Sequence, residues 1–268
     1  MKNSSKILVI SKGLLGKSLA NNLSCNSISH KDVFSENFEN YDYVINASFD
    51  KKMLENKLNN DAFDYRLINK AAEANSKFIF FSTRKVYGPY NGKILKEDSM
   101  CSPKCFYGIN KYALEKYIQR RMIDNNYLIL RLPNIYDSIS LNKKESFLGT
   151  FTSNLLNENT VKLNCSLKAY KDFLSIRNLL IIFNQIYCNS KLNGSILNIT
   201  IGEKIALGLI VDLASKYFKD LKIESDEAVD DSFLLSNYLL SEYANISECI
   251  SNKIELDNHF KFISTKKI

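Results

Sequence analysis

Short, continuously apolar runs alternate with longer segments of helical periodicity along most of this chain of 268 residues. Continuous apolar runs are typical of strands that are buried on both faces of a sheet. The predicted strands span residues 6–11, 26–30, 43–47, 77–82, 127–132 and 195–200. The predicted helices span residues 14–23, 61–75, 106–124, 145–157, 175–189 and 206–218. This alternation predicts an α/β fold with a doubly wound parallel sheet, and helices after residue 235 are expected to form a small C-terminal lobe.

The first predicted strand is followed at once by a glycine-containing turn and a helix, within residues 6–20. Gly13 would let the backbone approach a pyrophosphate at the helix N-terminus, and Gly16 would let the helix pack close to the strand. Ser11 stands where the first glycine of the G-x-G-x-x-G pattern should be. The segment therefore predicts a Rossmann-type dinucleotide-binding start whose phosphate loop is degenerate.

Two hydroxyl residues end the strongly apolar strand at residues 77–82. Ser82 closes this run and Thr83 follows it, at the edge where open α/β sheets bind ligands. Serine and threonine also commonly begin turns after strands. A substrate-binding hydroxyl and a simple turn are both compatible with this position.

Tyr107 and Lys111 stand four residues apart in a predicted helix, which places the phenol and the ammonium on one face, a turn apart. A free tyrosine has a pKa of about 10, and a fixed cation beside it stabilises the phenolate and lowers that pKa. The pair predicts a proton donor for redox chemistry at a carbonyl. The same spacing also occurs by chance in lysine-rich helices.

Taken in chain order, these segments resemble motifs of the extended short-chain dehydrogenase/reductase family. That family includes sugar-nucleotide epimerases, dehydratases and 4-keto-sugar reductases, and the resemblance is strongest to reductases of the dTDP-4-dehydrorhamnose type. Besides the N-terminal turn, the segments that carry it are residues 42–48, 81–88, 107–111, 130–136 and 171–179. The resemblance fades beyond residue 220.

The resemblance implies a catalytic trio in which Thr83 binds the substrate oxygen, Tyr107 transfers the proton, and Lys111 lowers the pKa of the tyrosine and binds a nicotinamide ribose hydroxyl. Cofactor contacts are implied at Ser11, Gly13, Leu14, Leu15, Gly16, Ser29, His30, Lys31, Asn46, Ala47, Ser48, Ser82, Tyr107, Lys111, Leu132 and Asn134. The implied activity is NAD(P)-dependent reduction or epimerisation of a nucleotide-activated sugar, in the biosynthesis of surface polysaccharide sugars. Dehydratases add a glutamate-based acid–base pair beside the catalytic hydroxyl, whereas Arg84 and Lys85 follow Thr83 here. Dehydration is therefore disfavoured.

The choice of cofactor depends on the residues after the second predicted strand. Ser29 and His30, with Lys31 beside them, resemble the serine–arginine pair with which some family members hold the 2′-phosphate of NADP. Asp32 could instead accept a hydrogen bond from the ribose 2′-hydroxyl, as in NAD enzymes, and His30, Lys31 and Asp32 are all three also compatible with an exposed turn. NADP is favoured over NAD.

The composition, 45% hydrophobic and 24% charged, is typical of a soluble protein with a sizeable core. No run reaches the ~18 apolar residues of a membrane span, and the N-terminal apolar stretch is interpreted as a strand, not as a signal peptide. A cytoplasmic location is expected, with the six cysteines reduced. Because the only histidines are His30 and His259, no zinc or other metal site is expected.

A net charge of +7 invites a nucleic-acid hypothesis, but the basic residues form no stripe. We expect no nucleic-acid or membrane partner, and a modest positive field would favour an anionic nucleotide-sugar. The second alternative is a catalytically silent NAD(P)-binding sensor or scaffold of the same fold. The degenerate glycine turn favours that alternative, and the intact catalytic trio opposes it. A homodimer is compatible with the sequence, which does not determine the oligomeric state.

The expected domain organisation is an NAD(P)-binding Rossmann domain at residues 1–140 and a remainder at 141–268. Residues 171–200 are expected to return to the Rossmann domain. The remainder includes the small C-terminal lobe, to which substrate binding is assigned.

Overall fold

The computed structural model describes residues 5–74, 76–89, 92–122, 124, 126–141 and 146–266. Within these residues the strands are β1 (Ile7–Ile10), β2 (Ser27–Ile28), β3 (Tyr43–Asn46), β4 (Lys77–Thr83), β5 (Ile94–Leu95), β6 (Tyr127–Leu132), β7 (Asn134–Tyr136), β8 (Thr160–Leu163), β9 (Tyr170–Lys171), β10 (Phe173–Ser175), β11 (Ser195–Asn198), β12 (Ile205–Ala206), β13 (Lys222–Ser225) and β14 (Leu234–Leu235). The α-helices are α1 (Leu14–Asn22), α2 (Phe63–Glu73), α3 (Phe106–Arg121), α4 (Phe147–Glu158), α5 (Ile176–Ile186), α6 (Leu207–Ser215) and α7 (Asn252–Ser264).

The chain separates into two compact units. Unit 1 comprises Met1–Gly88, Glu97–Arg131 and Phe183–Asn198, and unit 2 comprises Pro89–Lys96, Leu132–Ile182 and Ile199–Ile268. The functional domain limits expected from the sequence, near residue 140, stay a prediction. Residues 75, 123 and 145 of the predicted helices fall outside the described residues.

Unit 1 is built on a six-stranded sheet with the order β11-β6-β4-β3-β1-β2. The pairings of β1 with β2, β1 with β3, β3 with β4, and β6 with β11 are parallel. In this register Val9 of β1 lies between Ser27 of β2 and Ile45 of β3. Parallel strands joined by helices give the doubly wound Rossmann-type arrangement, so the predicted fold class is confirmed.

Burial explains why the strands of unit 1 are apolar throughout. All seven residues of β4 are buried, because helices cover the sheet. The apolar stripe of α2, which includes Leu67, Ile68 and Ala71, packs in one core cluster with Phe78 and Phe80 of β4. Apolar residues that recur every three to four positions on α2 thus pack against the continuously apolar strand β4.

Unit 2 has its own core, assembled from α4, α6, α7 and short strand pairs. The pairs are β7 with β10, β8 with β13 and β5 with β14, all parallel, and β9 with β12, antiparallel. Helix α4 is capped at its N-terminus by Ser146, whose hydroxyl accepts from the Gly149 amide at 3.0 Å, and at its C-terminus by Asn159 in the left-handed region (φ 50°). Both are residue types favoured at those helix ends.

The six strands of the main sheet and the six helices predicted before residue 220 are confirmed, apart from small shifts at their ends. The two-stranded pairs of unit 2 were not predicted, because strands of two to four residues carry too short a pattern to stand out. Among the described residues, no helix has the length and apolar character needed to cross a membrane.

Candidate active site

The sheet of unit 1 has a topological switch point between β1 and β3, because the chain turns from β1 to β2 on one side and then crosses to β3 on the other. Ligands of open α/β sheets bind at the carboxyl ends of the strands beside such a point. Since β1, β2, β3 and β4 run parallel, the segments that follow them emerge at one edge. The predicted site residues at this edge are Ser11, Gly13, Gly16, Ser29, His30, Lys31, Asn46, Ala47, Ser48, Ser82 and Thr83.

The turn after β1 is closed by a side-chain contact. The Gly13 amide donates to Ser11 Oγ at 3.0 Å, and the backbone of Gly13 is extended (φ −76°, ψ 177°) as it precedes α1. At Gly16 a Cβ would lie 2.5 Å from Ser11 Cβ and 2.5 Å from the Ser11 carbonyl oxygen. Gly16 therefore permits the close helix–strand packing predicted for it. Leu14 and Leu15, which begin the helix, are half-buried.

The turn after β2 is held by its own hydrogen bonds. Ser29 Oγ donates to Asp32 Oδ2 at 2.5 Å and accepts from the Lys31 amide at 3.2 Å. The side chains of His30 and Lys31 are exposed, and the His30 ring lies edge-on to Phe63. The side chains of His30 and Lys31 are thus exposed to solvent after β2, whereas the Asp32 carboxylate accepts a hydrogen bond from Ser29.

The segment after β3 is organised by the buried amide of Asn46. Asn46 Oδ1 accepts from the Ser48 amide at 3.0 Å and from the Ser48 hydroxyl, and its Nδ2 donates to Asp64 Oδ1 at 2.9 Å. The Ala47 amide donates to the carbonyl oxygen of Ile10 in β1. The three residues predicted to line the cofactor ribose therefore lie directly beside the switch point.

Thr83 ends β4 and caps the 3-10 helix Arg84–Val86, with its Oγ1 accepting from the Lys85 amide at 3.3 Å. Helix α3 packs against both β4 and this turn. Two contacts fix the start of α3 on either side of Thr83. Lys111 Nζ donates to the carbonyl oxygen of Phe81 at 2.9 Å, and Gly108 approaches so closely that a Cβ would lie 2.4 Å from the carbonyl oxygen of Lys85.

These two contacts bring the predicted catalytic trio together in unit 1. Thr83 lies between Phe81 and Lys85 on the strand side, and Tyr107 and Lys111 lie on the facing turns of α3. Tyr107 is half-buried, with the Phe49 ring edge-on to it at 5.7 Å between centroids and with Lys85 Nζ 5.8 Å from its ring centroid. The resulting group of a hydroxyl, a phenol and an ammonium is suited to binding and protonating a substrate oxygen.

The influences resolved on the pKa of Tyr107 in this arrangement raise it, and the lowering expected from Lys111 stays a prediction. Burial raises the pKa of Tyr107, and the electrostatic influence of Asp64 raises it further. The Lys111 ammonium donates to the Phe81 carbonyl, 6.0 Å from the centre of the tyrosine ring. Tyr107 is consequently held as the protonated phenol, which is the form that donates a proton.

The inner face of α3 carries polar groups that the sequence analysis missed. Asn110 donates to the carbonyl oxygens of Met53 and Asn56 and accepts from the Leu58 amide. Glu115, which is fully buried, accepts from the Ser82 hydroxyl and from the guanidinium of Arg131. Glu115 follows Lys111 by four residues, as Lys111 follows Tyr107, so the common face was a signal available in the sequence.

Leu132 and Asn134 fall in unit 2, unlike the other predicted site residues. Leu132 is the last residue of β6, and the Asn134 amide donates to the carbonyl oxygen of Asp172 at 3.2 Å. Their cofactor contacts stay predictions. Within the described ranges, no group of three histidine, cysteine, aspartate or glutamate side chains is placed to hold a metal ion.

Comparison with known proteins gives one family match. The model of the NAD dependent epimerase/dehydratase family matches residues 15–200, which is more than half of the chain. None of the curated proteins compared with this chain matches it.

Solved structures share the fold at low sequence identity. A UDP-N-acetylglucosamine 4-epimerase from Methanobrevibacter ruminantium M1, in complex with UDP-N-acetylmuramic acid, is 17% identical with a TM-score of 0.79, and the match covers 98% of this chain and 99% of that chain. RMD from Pseudomonas aeruginosa, complexed with NADPH, is 17% identical with a TM-score of 0.78. The match covers 98% of this chain and 100% of that chain. A dTDP-glucose 4,6-dehydratase from Bacillus anthracis, in complex with NAD, is 12% identical with a TM-score of 0.77 and 97% coverage of both chains.

Proposed function

The chain belongs to the NAD dependent epimerase/dehydratase family, and on that premise we propose that it is an NAD(P)-dependent enzyme that reduces or epimerises a nucleotide-activated 4-keto sugar. The observation that carries the proposal is the pair of contacts that hold α3 across Thr83. Because Lys111 donates to the Phe81 carbonyl and Gly108 lies close to the Lys85 carbonyl, these contacts hold the first turns of α3 against the backbone on either side of Thr83.

The residues at the switch point fit a dinucleotide. The N-terminus of α1 offers backbone N–H groups and the positive end of a helix dipole, and Gly13 places no side chain over the approach to it. A bound nicotinamide supplies or accepts the hydride. Ser11, Asn46 and Ser48 stand at the ends of β1 and β3, where the nucleotide would lie.

We assign the cofactor as NADP in preference to NAD. Similar structures contain either NADPH or NAD, so the assignment depends on the turn after β2. His30 and Lys31 are exposed there, where they can meet the additional phosphate. Asp32, the residue that would bind a ribose hydroxyl in an NAD enzyme, already accepts from Ser29.

The chemistry assigned to the trio follows from its protonation and hydrogen bonds. Tyr107, held as the phenol, donates its proton to the substrate oxygen in the reducing direction. The Thr83 oxygen accepts from the Lys85 amide, and we assign its hydroxyl hydrogen to the same substrate oxygen, where negative charge develops. Lys111, whose Nζ donates to the Phe81 carbonyl, is assigned to a ribose hydroxyl of the cofactor.

The substrate class is proposed from the family and from charge. The structure of the Methanobrevibacter ruminantium epimerase is a complex with UDP-N-acetylmuramic acid, and a net charge of +7 favours an anionic nucleotide-sugar. Arg84 and Lys85 follow Thr83, so the glutamate-based pair of a dehydratase has no place next to the hydroxyl. We therefore place the chain among reductases and epimerases, in the cytoplasmic synthesis of surface polysaccharide sugars.

A catalytically silent NAD(P)-binding sensor or scaffold is the second candidate. It is favoured by Ser11, whose side chain accepts from the Gly13 amide in a turn where the usual pattern has glycine. A sensor would bind the dinucleotide but would not need a phenol and an ammonium fixed beside a hydroxyl. The two candidates differ in turnover and agree in cofactor binding.

The test combines both measurements on one preparation. Purified protein is incubated with NADPH or NADH, and binding is followed by fluorescence and by mass spectrometry of the retained nucleotide. Turnover is then measured with dTDP- and UDP-linked 4-keto sugars. We expect binding and turnover for the wild type, and for Tyr107→Phe unchanged binding with turnover lower by a factor of about a hundred or more.

Each negative outcome has a separate meaning. Binding without turnover on any nucleotide-sugar would favour the sensor. No binding of either nucleotide would refute both candidates. Equal turnover for wild type and Tyr107→Phe would remove the tyrosine from the mechanism.

A further inference from the structure

The ammonium of Lys85 has no part in the proposed mechanism, although it lies at the candidate active site. Lys85 follows Thr83 by two residues, in the turn Arg84–Val86, and it is exposed. Its Nζ lies 5.8 Å from the centre of the Tyr107 ring, within the range of a cation–π contact. Lys85 is therefore joined to one member of the trio through the backbone and to another through its side chain.

Two contacts fix the backbone from which this ammonium extends. The Lys85 amide donates to Thr83 Oγ1 at 3.3 Å. The Lys85 carbonyl lies so close to Gly108 that a Cβ there would be 2.4 Å from its oxygen. Because Gly108 follows Tyr107 directly in α3, the base of the lysine side chain is held between Thr83 and the start of that helix.

The charge of Lys85 has no counter-ion within the described part of the chain. None of the ion pairs among the described residues includes it, and its Nζ donates no hydrogen bond to any of them. Lys111 differs in this respect, because its Nζ, 6.0 Å from the centre of the same ring, donates to the Phe81 carbonyl at 2.9 Å. A contact with an aromatic ring leaves an ammonium its charge, so Lys85 can bind an anion that enters the site.

The place of this cation beside Tyr107 limits which anion of a nucleotide-sugar it can meet. In the proposed function, Tyr107 and Thr83 bind the oxygen on the carbonyl carbon of a 4-keto sugar. The diphosphate is attached to the anomeric carbon, which lies across the sugar ring from that carbonyl. A ring carbon next to the carbonyl carries the exocyclic carbon of a hexose, and in a hexuronic acid this exocyclic carbon is a carboxylate.

We propose that Lys85 is a specificity-determining residue that binds the carboxylate of a nucleotide-activated hexuronic acid, so that the enzyme prefers a uronate to the neutral hexose. The inference rests on the proposed function, because it concerns the substrate of the same site. Lys85 is assigned no step of proton or hydride transfer. An ammonium and a carboxylate form a charge-assisted hydrogen bond, whereas a hydroxymethyl group offers the ammonium no opposite charge.

The test compares UDP-glucuronic acid with UDP-glucose, which differ only in having a carboxylate or a hydroxymethyl group. Each is incubated with the protein and oxidised NADP or NAD, and turnover is followed by the absorbance of reduced nicotinamide and by chromatography of the epimeric sugars. For the wild type we expect kcat/KM to be at least about tenfold higher with UDP-glucuronic acid. In Lys85→Met, which removes the charge, we expect the two values to agree within about twofold.

Lys116→Met is the matched control. Lys116 is also exposed and lies over a tyrosine ring, 5.4 Å from the centre of Tyr112, but it stands about 13 Å along α3 from Tyr107. Its replacement changes the net charge by the same amount and should leave the preference of the wild type intact. Lys85→Arg should retain the preference for the uronate, because a guanidinium also pairs with a carboxylate, and Lys85→Glu should favour UDP-glucose.

Binding is measured separately, by calorimetry of the two UDP-sugars in the presence of oxidised cofactor. Lys85→Met should weaken the binding of UDP-glucuronic acid by about tenfold and that of UDP-glucose by less. Equal weakening of both sugars would show that Lys85 meets the diphosphate that they share, and would overturn the inference. A wild type that binds UDP-glucose as tightly as UDP-glucuronic acid would overturn it as well.

The two proposals fail separately. A wild type that turns over no nucleotide-sugar would refute the proposed function, and calorimetry would still decide whether Lys85 recognises the carboxylate. Turnover without a preference for the uronate, or with a preference that Lys85→Met retains, would overturn the role of Lys85 and leave the proposed function standing. Circular dichroism of each variant checks that the fold is retained before either result is interpreted.

Discussion

Glu115 receives a bidentate hydrogen bond from Arg131, with Nε 3.1 Å from Oε1 and Nη2 2.7 Å from Oε2, in the interior of unit 1. The side chains are 0% and 3% exposed, and the guanidinium also donates to the carbonyl oxygen of Glu97 and lies over the Tyr87 ring. Because Ser82 donates to the same carboxylate, the pair ties α3 to the end of β4. Its position one turn beyond Lys111 makes it a support for the candidate site.

Replacing Arg131 with methionine should destabilise the protein by about 3–5 kcal/mol, because it leaves the Glu115 carboxylate buried without its counter-ion. The matched control is Arg121→Met, whose ion pair with Glu73 is partly exposed, and about 1 kcal/mol or less is expected there. Urea unfolding of both variants measures the difference. Equal losses of unfolding free energy in the two variants would show that the buried ion pair contributes no more to stability than the partly exposed one.

Adding a methyl group at Gly108 should disturb the contact that holds α3 beside Thr83. The new Cβ would lie 2.4 Å from the Lys85 carbonyl oxygen, which is backbone and cannot swing away, so Gly108→Ala should cost about 1–3 kcal/mol. Gly208→Ala is the control, since its Cβ would lie 3.4 Å from the Leu167 carbonyl oxygen, near the start of α6. The unfolding midpoints of the two variants are compared. A Gly108→Ala protein as stable as Gly208→Ala would contradict the close approach of Gly108 to the Lys85 carbonyl.

Substituting valine for Gly13 should weaken cofactor binding and leave the fold intact. The backbone there is extended, so valine adopts it without strain, and its branched side chain would stand in the approach to the N-terminus of α1. Titration with NADPH measures the loss, and thermal unfolding checks the fold. Undiminished affinity in Gly13→Val would place the pyrophosphate elsewhere.

Replacing His30 and Lys31 together with alanine should weaken NADPH binding more than NADH binding, because only NADPH carries the phosphate that these exposed side chains would meet. Asp32→Ala is the companion variant and should spare NADPH. Dissociation constants for both cofactors are compared across the three proteins. A loss specific to NADH in Asp32→Ala would reverse the assigned preference.

Acid should destabilise unit 2 through His259. The ring is fully buried, with Nε2 2.9 Å from Thr152 Oγ1, and burial lowers its pKa to about 4 from an ordinary value near 6.5. Between pH 6.5 and 4 the unfolded chain binds a proton that the folded chain does not, so this contribution to stability falls as the pH falls.

From pH 7 to pH 5 the wild type should therefore lose about 2 kcal/mol more unfolding free energy than His259→Gln. His30→Gln, at the exposed histidine, is the control for losing an imidazole. Urea unfolding at the two pH values measures the difference. Equal losses in wild type and His259→Gln would show that this ring does not titrate as described.

Local patterns were sufficient to predict the main sheet and the helices that flank it. Continuous apolar runs and helical periodicity depend on a few neighbouring residues, and they located β1, β3, β4, β6 and β11 along with the helices before residue 220. The proximity of Tyr107 and Lys111 was predictable for the same reason, since a helix alone sets a spacing of four residues. The family resemblance rested on the same short segments.

Tertiary structure decided what surrounds those residues. The helical spacing predicted that Lys111 acts on Tyr107, and packing directs its Nζ to the Phe81 carbonyl, 6.0 Å from the centre of the tyrosine ring. Burial then raises the pKa of the tyrosine, where the isolated pair predicted a decrease. The physical reason is that spacing along a helix specifies which side chains share a face. Desolvation and long-range charge depend on residues that only the folded chain brings together.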